Sequence, residues 1–215
     1  MRFVLLLAML LIAVTLSLVF YPTLPDRMPT HWNGAGEIDG WSPKLLGAFL
    51  MPLIMAGVVA LFAVLPRISP RGYPVDAESR GYRAIELASV AFMLGIHIVA
   101  LLAATGTPID MTVIVPMLVG ALFVVLGNYM AKMPRNFFIG IRTPWTLADE
   151  DVWYRTHRLG GRVFVAAGLA LMIVPFAGEA QHTAFTTIAI AAAFIPIVYS
   201  YVIYKRLHLH NGETE

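Results

Sequence analysis

The sequence predicts an all-α integral membrane protein in which six helices cross the bilayer as one polytopic bundle. Of its 215 residues, 59% are hydrophobic and only 13% are charged, whereas about 25% charged residues is usual in a soluble domain. The mean hydropathy of +0.75 agrees with this assignment. The apolar residues form continuous runs without alternation, which favours helices over a β-barrel. We therefore predict a single membrane domain over residues 1–215.

Six apolar segments have close to the roughly 20 residues that a helix needs to cross the hydrocarbon core. The first follows Met1 and Arg2 and could be mistaken for a signal peptide. Its apolar run is long and Val19–Pro22 makes a poor cleavage site, so we interpret it as an uncleaved helix. The helices are expected at residues 3–20, 45–65, 87–104, 111–131, 163–178 and 183–204.

The positive charges in the connecting segments predict the orientation of the bundle. The N-terminus, residues 66–86, residues 132–162 and the tail together hold 13 Lys and Arg residues, whereas the remaining connections hold only Arg27 and Lys44. Lys and Arg accumulate in cytoplasmic loops. We therefore expect both termini and the 132–162 loop in the cytoplasm, and the 21–44 loop on the outer side of the cell membrane.

Several classes of function are disfavoured by composition and motifs. The chain has no cysteine, which excludes disulfides, thiolate catalysis and cysteine-ligated zinc. A formal charge of +2 gives no broad basic surface for nucleic acid. The sequence carries no H-E-x-x-H, G-x-S-x-G or P-loop motif. We therefore expect neither an enzyme, nor a cofactor, nor direct contact with nucleic acid.

The outward loop, residues 21–44, is rich in proline and glycine, and we predict a structured series of turns. It also carries His31, Glu37 and Asp39, which are possible ligands of a divalent metal. Their spacing matches no compact ligand motif. The alternative is that these side chains bond the turn backbone and cap neighbouring helices.

His97 lies near the middle of the third predicted helix. An ionisable side chain at that depth is a candidate functional residue by default. In the alternative interpretation, His97 is a neutral imidazole hydrogen-bonded to another helix, with Ser or Thr as its partner.

The longest polar interruption between apolar runs is Met133–Gly161, MPRNFFIGIRTPWTLADEDVWYRTHRLGG. Thr146 with Asp149 three residues later is close to a capping box, so we predict a short helix that begins at Leu147. Acidic residues stand in its first turns and basic residues in its last, as the helix dipole favours. Gly160 and Gly161 are expected to end it.

Two stretches carry a family resemblance. Asn136–Gly161, NFFIGIRTPWTLADEDVWYRTHRLGG, resembles the signature of SdpI-type bacterial membrane proteins. Leu24–Trp41, LPDRMPTHWNGAGEIDGW, is similar to a small extracytoplasmic motif found near the N-terminus of many such proteins. The family's characterised member is an immunity protein against a secreted peptide toxin. It also transmits a signal by holding a repressor at the membrane.

The resemblance implies a bacterial inner-membrane protein that meets a peptide toxin outside and a repressor inside. In the cytoplasmic loop the implied partner-binding residues are Asn136, Gly140, Arg142, Thr143, Pro144, Trp145, Thr146, Trp153, Thr156, His157, Gly160 and Gly161. In the outward loop the matching residues are Pro25, Pro29, His31, Gly36, Asp39 and Lys44. A different class of function stays open beside this one: a transporter or a membrane-embedded enzyme that uses His97, or His31 with Glu37 and Asp39.

Overall fold

A computed structural model describes residues 1–209 and contains six helices long and apolar enough to cross a membrane. The chain is a multi-pass helical membrane protein, as predicted. A short seventh helix, α5, precedes the fifth spanning helix. The helices are α1 (Arg2–Phe20), α2 (Lys44–Ile68), α3 (Arg80–Ala104), α4 (Met111–Met130), α5 (Pro144–Ala148), α6 (Glu150–Ile173) and α7 (Gln181–Leu209).

The spanning helices form two groups of three. In the first group, α1, α2 and α3 all contact one another. In the second group, α6 packs against both α4 and α7. The contact between α3 and α4 joins the two groups. In the first group, the buried side chains of Leu6, Ala13, Met55 and Val90 form an apolar cluster. Helix α3 begins seven residues earlier than predicted because the Ser79 hydroxyl caps its first turn, accepting from the Tyr82 amide at 3.2 Å.

Glycine pairs bring α4 and α6 into close backbone contact. A side chain at Gly127 would lie 2.6 Å from the Gly161 carbonyl oxygen, and one at Gly120 would lie 2.6 Å from that of Gly168. Small residues at such positions let membrane helices approach closely. The prediction that Gly160 and Gly161 end a helix is therefore wrong, because α6 continues through them and uses them for packing.

The outward loop contains a β-hairpin where we predicted turns alone. Strands β1 (Arg27–Trp32) and β2 (Ile38–Pro43) pair antiparallel. The Asn33 side chain closes the connection by accepting from the amides of Ala35 at 2.9 Å and Glu37 at 3.0 Å. Gly36 follows with a φ of +79°, which favours glycine. Both strands contain prolines, which are tolerated at strand edges. Because proline is also typical of turns, the sequence alone did not indicate that these segments pair.

Alternate connections gather at the same end of the bundle. At the hairpin end, His182 of α7 lies against Gly34, and Thr112 of α4 lies against Gly36. The opposite end of the bundle contains the connections from α2 to α3 and from α4 to α6, and we call it the loop end. There the Tyr73 hydroxyl donates to the Leu147 carbonyl at 3.0 Å. Which end faces the cytoplasm stays a prediction from the distribution of positive charge.

Replacing Gly127 with alanine should destabilise the bundle, because the new methyl group would meet backbone atoms of α6 that cannot move aside. We expect a loss of about 1–3 kcal/mol, as in other overpacked cores. The measurement is the thermal midpoint of the purified protein in detergent. The matched control is Gly57→Ala in α2, where an added Cβ meets nothing within 4 Å. Equal midpoints for the two variants would contradict the close contact.

Candidate functional site

The loop between α4 and α5 is organised around the buried side chain of Asn136. Its oxygen accepts from the amides of Phe138 at 2.9 Å and Ile139 at 2.7 Å. Its nitrogen donates to the carbonyls of Pro134 at 3.1 Å and Ile139 at 3.0 Å. The amide thus uses both its donor and acceptor capacity within one turn, which explains why an asparagine stands here.

His157 and Trp153, on the first turns of α6, hold this loop against the helix. The His157 Nδ1–H donates to the Trp153 carbonyl at 2.8 Å, and Nε2 accepts from the Ile141 amide at 2.9 Å. The imidazole is therefore the neutral tautomer with its proton on Nδ1. The indole of Trp153 stacks on it with centroids 3.8 Å apart and donates to the Met133 carbonyl at 3.0 Å.

Gly140 passes directly over these two rings. Its φ of +114° lies in the region that favours glycine, and a side chain there would collide with His157 and Trp153. A glycine is therefore required at this position for two independent reasons.

Helix α5 begins at a capping box one turn earlier than predicted. Thr143, not Thr146, is the N-cap residue: its hydroxyl accepts from the Thr146 amide at 3.2 Å, while the Thr146 hydroxyl accepts from the Thr143 amide at 2.9 Å. The helix ends at Ala148, and Asp149 then caps α6 by accepting from the Val152 amide at 2.9 Å. The predicted single helix from Leu147 is thus two helices with a break at Asp149.

Side chains from distant segments fix α5 in place. Thr143 is 3.0 Å from the Ser200 hydroxyl of α7, and Trp145 packs on Tyr201 with ring centroids 5.0 Å apart. Arg135 donates to the Leu147 carbonyl at 3.1 Å and lies over the Tyr73 ring. Sequence reasoning missed Tyr73, Ser200 and Tyr201, because nothing in their local sequence indicates a contact across the chain.

The predicted partner-binding residues divide by exposure. Arg142, Pro144 and Gly140 are exposed, and Trp145 is partly so. The other eight are buried and form the interior of the loop end, so a partner docking on this conformation would not touch them: Asn136, Thr143, Thr146, Trp153, Thr156, His157, Gly160 and Gly161. Packing inside the loop end accounts for these eight side chains. The predicted partner-binding surface is therefore limited to the residues that are at least partly exposed.

The outward loop places its polar residues in separate interactions. The His31 Nδ1 lies 2.5 Å from the Asp39 carboxylate, whereas the Glu37 carboxylate accepts from the Asn33 side chain at 3.0 Å. Across residues 1–209, no three His, Cys, Asp or Glu side chains are grouped so that they could hold a metal ion. These side chains therefore bond one another and Asn33 within the hairpin, and the choice between the two interpretations stays a prediction.

The other matching residues of the outward loop are parts of the hairpin and its junction with α2. Pro29 is buried and Pro25 is exposed. The amide of Lys44 donates to the Asp26 carbonyl at 2.9 Å, and its ammonium lies over the Tyr21 ring. These contacts tie the hairpin to the membrane helices.

A cavity of about 230 Å³ opens at the hairpin end, between the hairpin turn and the adjoining ends of α4, α6 and α7. Most of its wall is apolar, with a few polar groups. Sequence reasoning did not find it, because its walls come from four separate segments. Its lining includes Trp32, Pro116, Val174 and Phe185, with Asn33, Gln181 and His182 as polar members.

His97 joins the first three helices within the membrane. Its Nε2 lies 3.0 Å from the Ser17 hydroxyl and 3.2 Å from the Ala13 carbonyl, both in α1. The same Ser17 hydroxyl lies 2.6 Å from the Ala48 carbonyl in α2. All these atoms are buried. The geometry agrees with the interpretation of His97 as a hydrogen-bonded link to a serine on another helix.

A buried ion pair at the loop end was not predicted. The Arg2 guanidinium, only 10% exposed, lies 2.6 Å from the Glu86 carboxylate, which is 1% exposed. Arg2 also donates to the Ala77 carbonyl at 2.7 Å. The two residues lie at the start of α1 and near the start of α3, and nothing in either local sequence indicates the pair.

Known families match both the segment that contains the loop between α4 and α5 and the segment that contains the hairpin. The model of the SdpI/YfhL protein family matches residues 132–200. A domain of unknown function (DUF1648) matches residues 8–56. The chain is 28% identical to "Immunity protein SdpI" of Bacillus subtilis over 196 residues, which cover 89% of this chain and 90% of that protein.

The chain is similar to an SdpI protein over most of its length. It is also 44% identical over 43 residues to "Uncharacterized membrane protein YbgB" of Bacillus subtilis, covering 20% of this chain and 47% of that protein. No solved structure shows a significant match. The 132–200 match contains both Thr143 and its partner Ser200, and the 8–56 match contains Ser17 and the hairpin.

Replacing Asn136 with alanine should loosen the loop end, because four backbone groups of one turn would lose their partner. We expect a loss of about 2 kcal/mol or more, since buried unpaired groups cost about 1–3 kcal/mol each. The measurement is the thermal midpoint together with the rate of tryptic cleavage after Lys132 and Arg135, two sites that both variants keep. The control Arg142→Ala loses only an exposed bond to the Phe137 carbonyl. Equal stability of the two variants would contradict this role.

Proposed function

We propose that this protein is an SdpI-like immunity and signalling protein that protects the cell against a secreted peptide toxin. The observation that carries the proposal is the similarity to an immunity protein along 89% of the chain. In this proposal both termini are cytoplasmic, the hairpin end faces outward, and the loop end faces a cytoplasmic repressor. The protein acts by binding and has no catalytic role.

The hairpin end has the features of a peptide-binding surface. Its cavity is lined by aromatic and aliphatic side chains, which supply most of the affinity in peptide recognition. A volume of about 230 Å³ suits one or two side chains of a peptide, with the rest lying across the hairpin. Trp41 and Ile38 are 49% and 41% exposed on β2 and widen the apolar surface.

The loop end offers a different, mostly polar surface. Arg142 and Pro144 are exposed beside the partly buried Trp145, and Tyr154 of α6 is 53% exposed. Beneath them, the loop is held by the Asn136 and His157 networks, so these groups are presented on a rigid support. A preorganised surface of arginine and aromatic side chains suits a protein partner.

The alternative of a transporter or membrane enzyme has less support. His97 is used by its contacts to Ser17 and Ala13, and His157 by its contacts to Trp153 and Ile141. Both nitrogens of His157 and the Nε2 of His97 are thus engaged within the protein. The protein that is similar to this chain over 89% of its length is also named for immunity.

Protection should depend on the cavity at the hairpin end. In cells that depend on this protein for protection, we expect Trp32→Ala to lower the lethal toxin concentration by roughly tenfold, because the cavity loses an aromatic anchor. The measurement is survival of cells that lack any other immunity protein. The matched control is Phe194→Ala, since Phe194 is an exposed aromatic side chain of α7 that lies outside both the cavity and the hairpin. Full protection by a folded, membrane-inserted Trp32 variant would contradict the assigned site.

Signalling should depend on the loop end and separate from protection. We expect Arg142→Ala to reduce membrane recruitment of the repressor severalfold while protection persists, because Arg142 is exposed and far from the hairpin end. The measurement follows a fluorescent fusion of the repressor in cells given toxin. Arg71→Ala, another exposed arginine, serves as the control. Undiminished recruitment by the Arg142 variant would remove this residue from the contact.

A further inference from the structure

Three arginines lie on one exposed face of α6. Arg155, Arg158 and Arg162 are spaced by three and four residues, which places them on the same side of a helix. Within residues 1–209, no carboxylate lies within the 4.0 Å ion-pair distance of any of them. The nearest acid on the same face is Asp151, one turn before Arg155, so Arg158 and Arg162 are the less compensated pair.

The same face becomes apolar beyond Arg162, where it forms a groove with α4. The groove measures about 390 Å³ and is lined by Asn128, Arg162, Val165, Ala166 and Leu169, with Gly127 and Gly161 at its base. The two glycines mark the place where the backbones of α4 and α6 meet. Leu169 and Ile173 are 53% and 67% exposed farther along the helix, so the apolar strip continues past the groove.

The groove crosses the boundary between the polar and apolar parts of a bilayer. Helix α4 has 20 residues and is therefore about 30 Å long, close to the thickness of the hydrocarbon core. Asn128 is two residues from its end, which places Asn128 and the adjacent Arg162 at the boundary. Arg158 then lies about 6 Å farther toward water, and Leu169 about 10 Å deeper in the hydrocarbon.

We propose that this groove is a binding site for one anionic phospholipid. The Arg158 and Arg162 guanidinium groups hold the headgroup phosphate, the Asn128 amide contributes a hydrogen bond, and an acyl chain lies along Val165, Ala166 and Leu169. Arginine matches phosphate in charge and in hydrogen-bond geometry. The change from basic to apolar along one groove matches the change along a lipid, whereas a soluble peptide would have to enter the bilayer.

A lipid in this position would act on the contact between α4 and α6. It touches both helices beside the Gly127–Gly161 contact, and it covers a groove that the chain itself leaves open. Binding to the folded state alone raises stability in proportion to lipid occupancy. The site thus links the charge of the surrounding leaflet to the stability of the helix that supports the loop end.

The test is native mass spectrometry of the full-length protein titrated with phosphatidylglycerol or phosphatidylcholine in detergent. We expect phosphatidylglycerol to bind the native protein and raise its thermal midpoint, with no such effect of phosphatidylcholine. The double variant Arg158→Gln/Arg162→Gln should bind phosphatidylglycerol at least roughly tenfold more weakly, since each basic residue contributes about a fivefold effect near anionic lipid. The matched control is Arg71→Gln/Arg80→Gln, which removes two exposed arginines outside the groove.

Equal phosphatidylglycerol affinity in the two double variants would overturn the proposal. Equal binding of phosphatidylcholine to the native protein would also overturn it, and so would displacement of the lipid by inorganic phosphate. A dimer of the chain that binds no lipid would show that a second copy covers the groove. Because all four arginines are exposed, the variants should keep the native midpoint without lipid, and circular dichroism checks their folding.

Discussion

The close approach of α4 and α6 is the contact on which the loop end depends. Gly120 and Gly127 face Gly168 and Gly161, so the two backbones meet without intervening side chains. Helix α6 is longer than α4 and extends about three turns beyond the contact. That extension carries Trp153 and His157, whose rings support the backbone of the loop. A shift of α6 along α4 would therefore displace the whole loop surface.

The number and approximate position of the spanning helices could be predicted from composition, because the hydrocarbon core demands long apolar runs. Their ends were harder to predict, because they depend on contacts between distant residues. A glycine can end a helix or allow close packing, and only the presence of Gly127 opposite Gly161 decides between these roles. The hairpin was missed for a related reason: prolines permitted at strand edges look like turn residues in a sequence read alone.

The candidate site shows the same division between local and distant information. Local composition drew attention to the 133–161 loop, and the cost of polar groups in the membrane led to Ser or Thr as one possible partner of His97; Ser17 is that partner in the structure. The sequence did not distinguish residues that pack inside the loop from residues that are exposed on its surface. Asn136, Thr146 and His157 belong to the first kind and Arg142 to the second. That distinction depends on burial, which requires the positions of α6 and α7.

The ion pair between Arg2 and Glu86 has a consequence for how the protein is made. Arg2 enters the membrane with the first helix, long before Glu86 has been synthesised, and the carboxylate becomes buried only once α3 is in place. Until then, each charge must stay near the membrane surface, because burying one without the other is costly. The Arg2–Glu86 contact between α1 and α3 can therefore close only after α3 has been made.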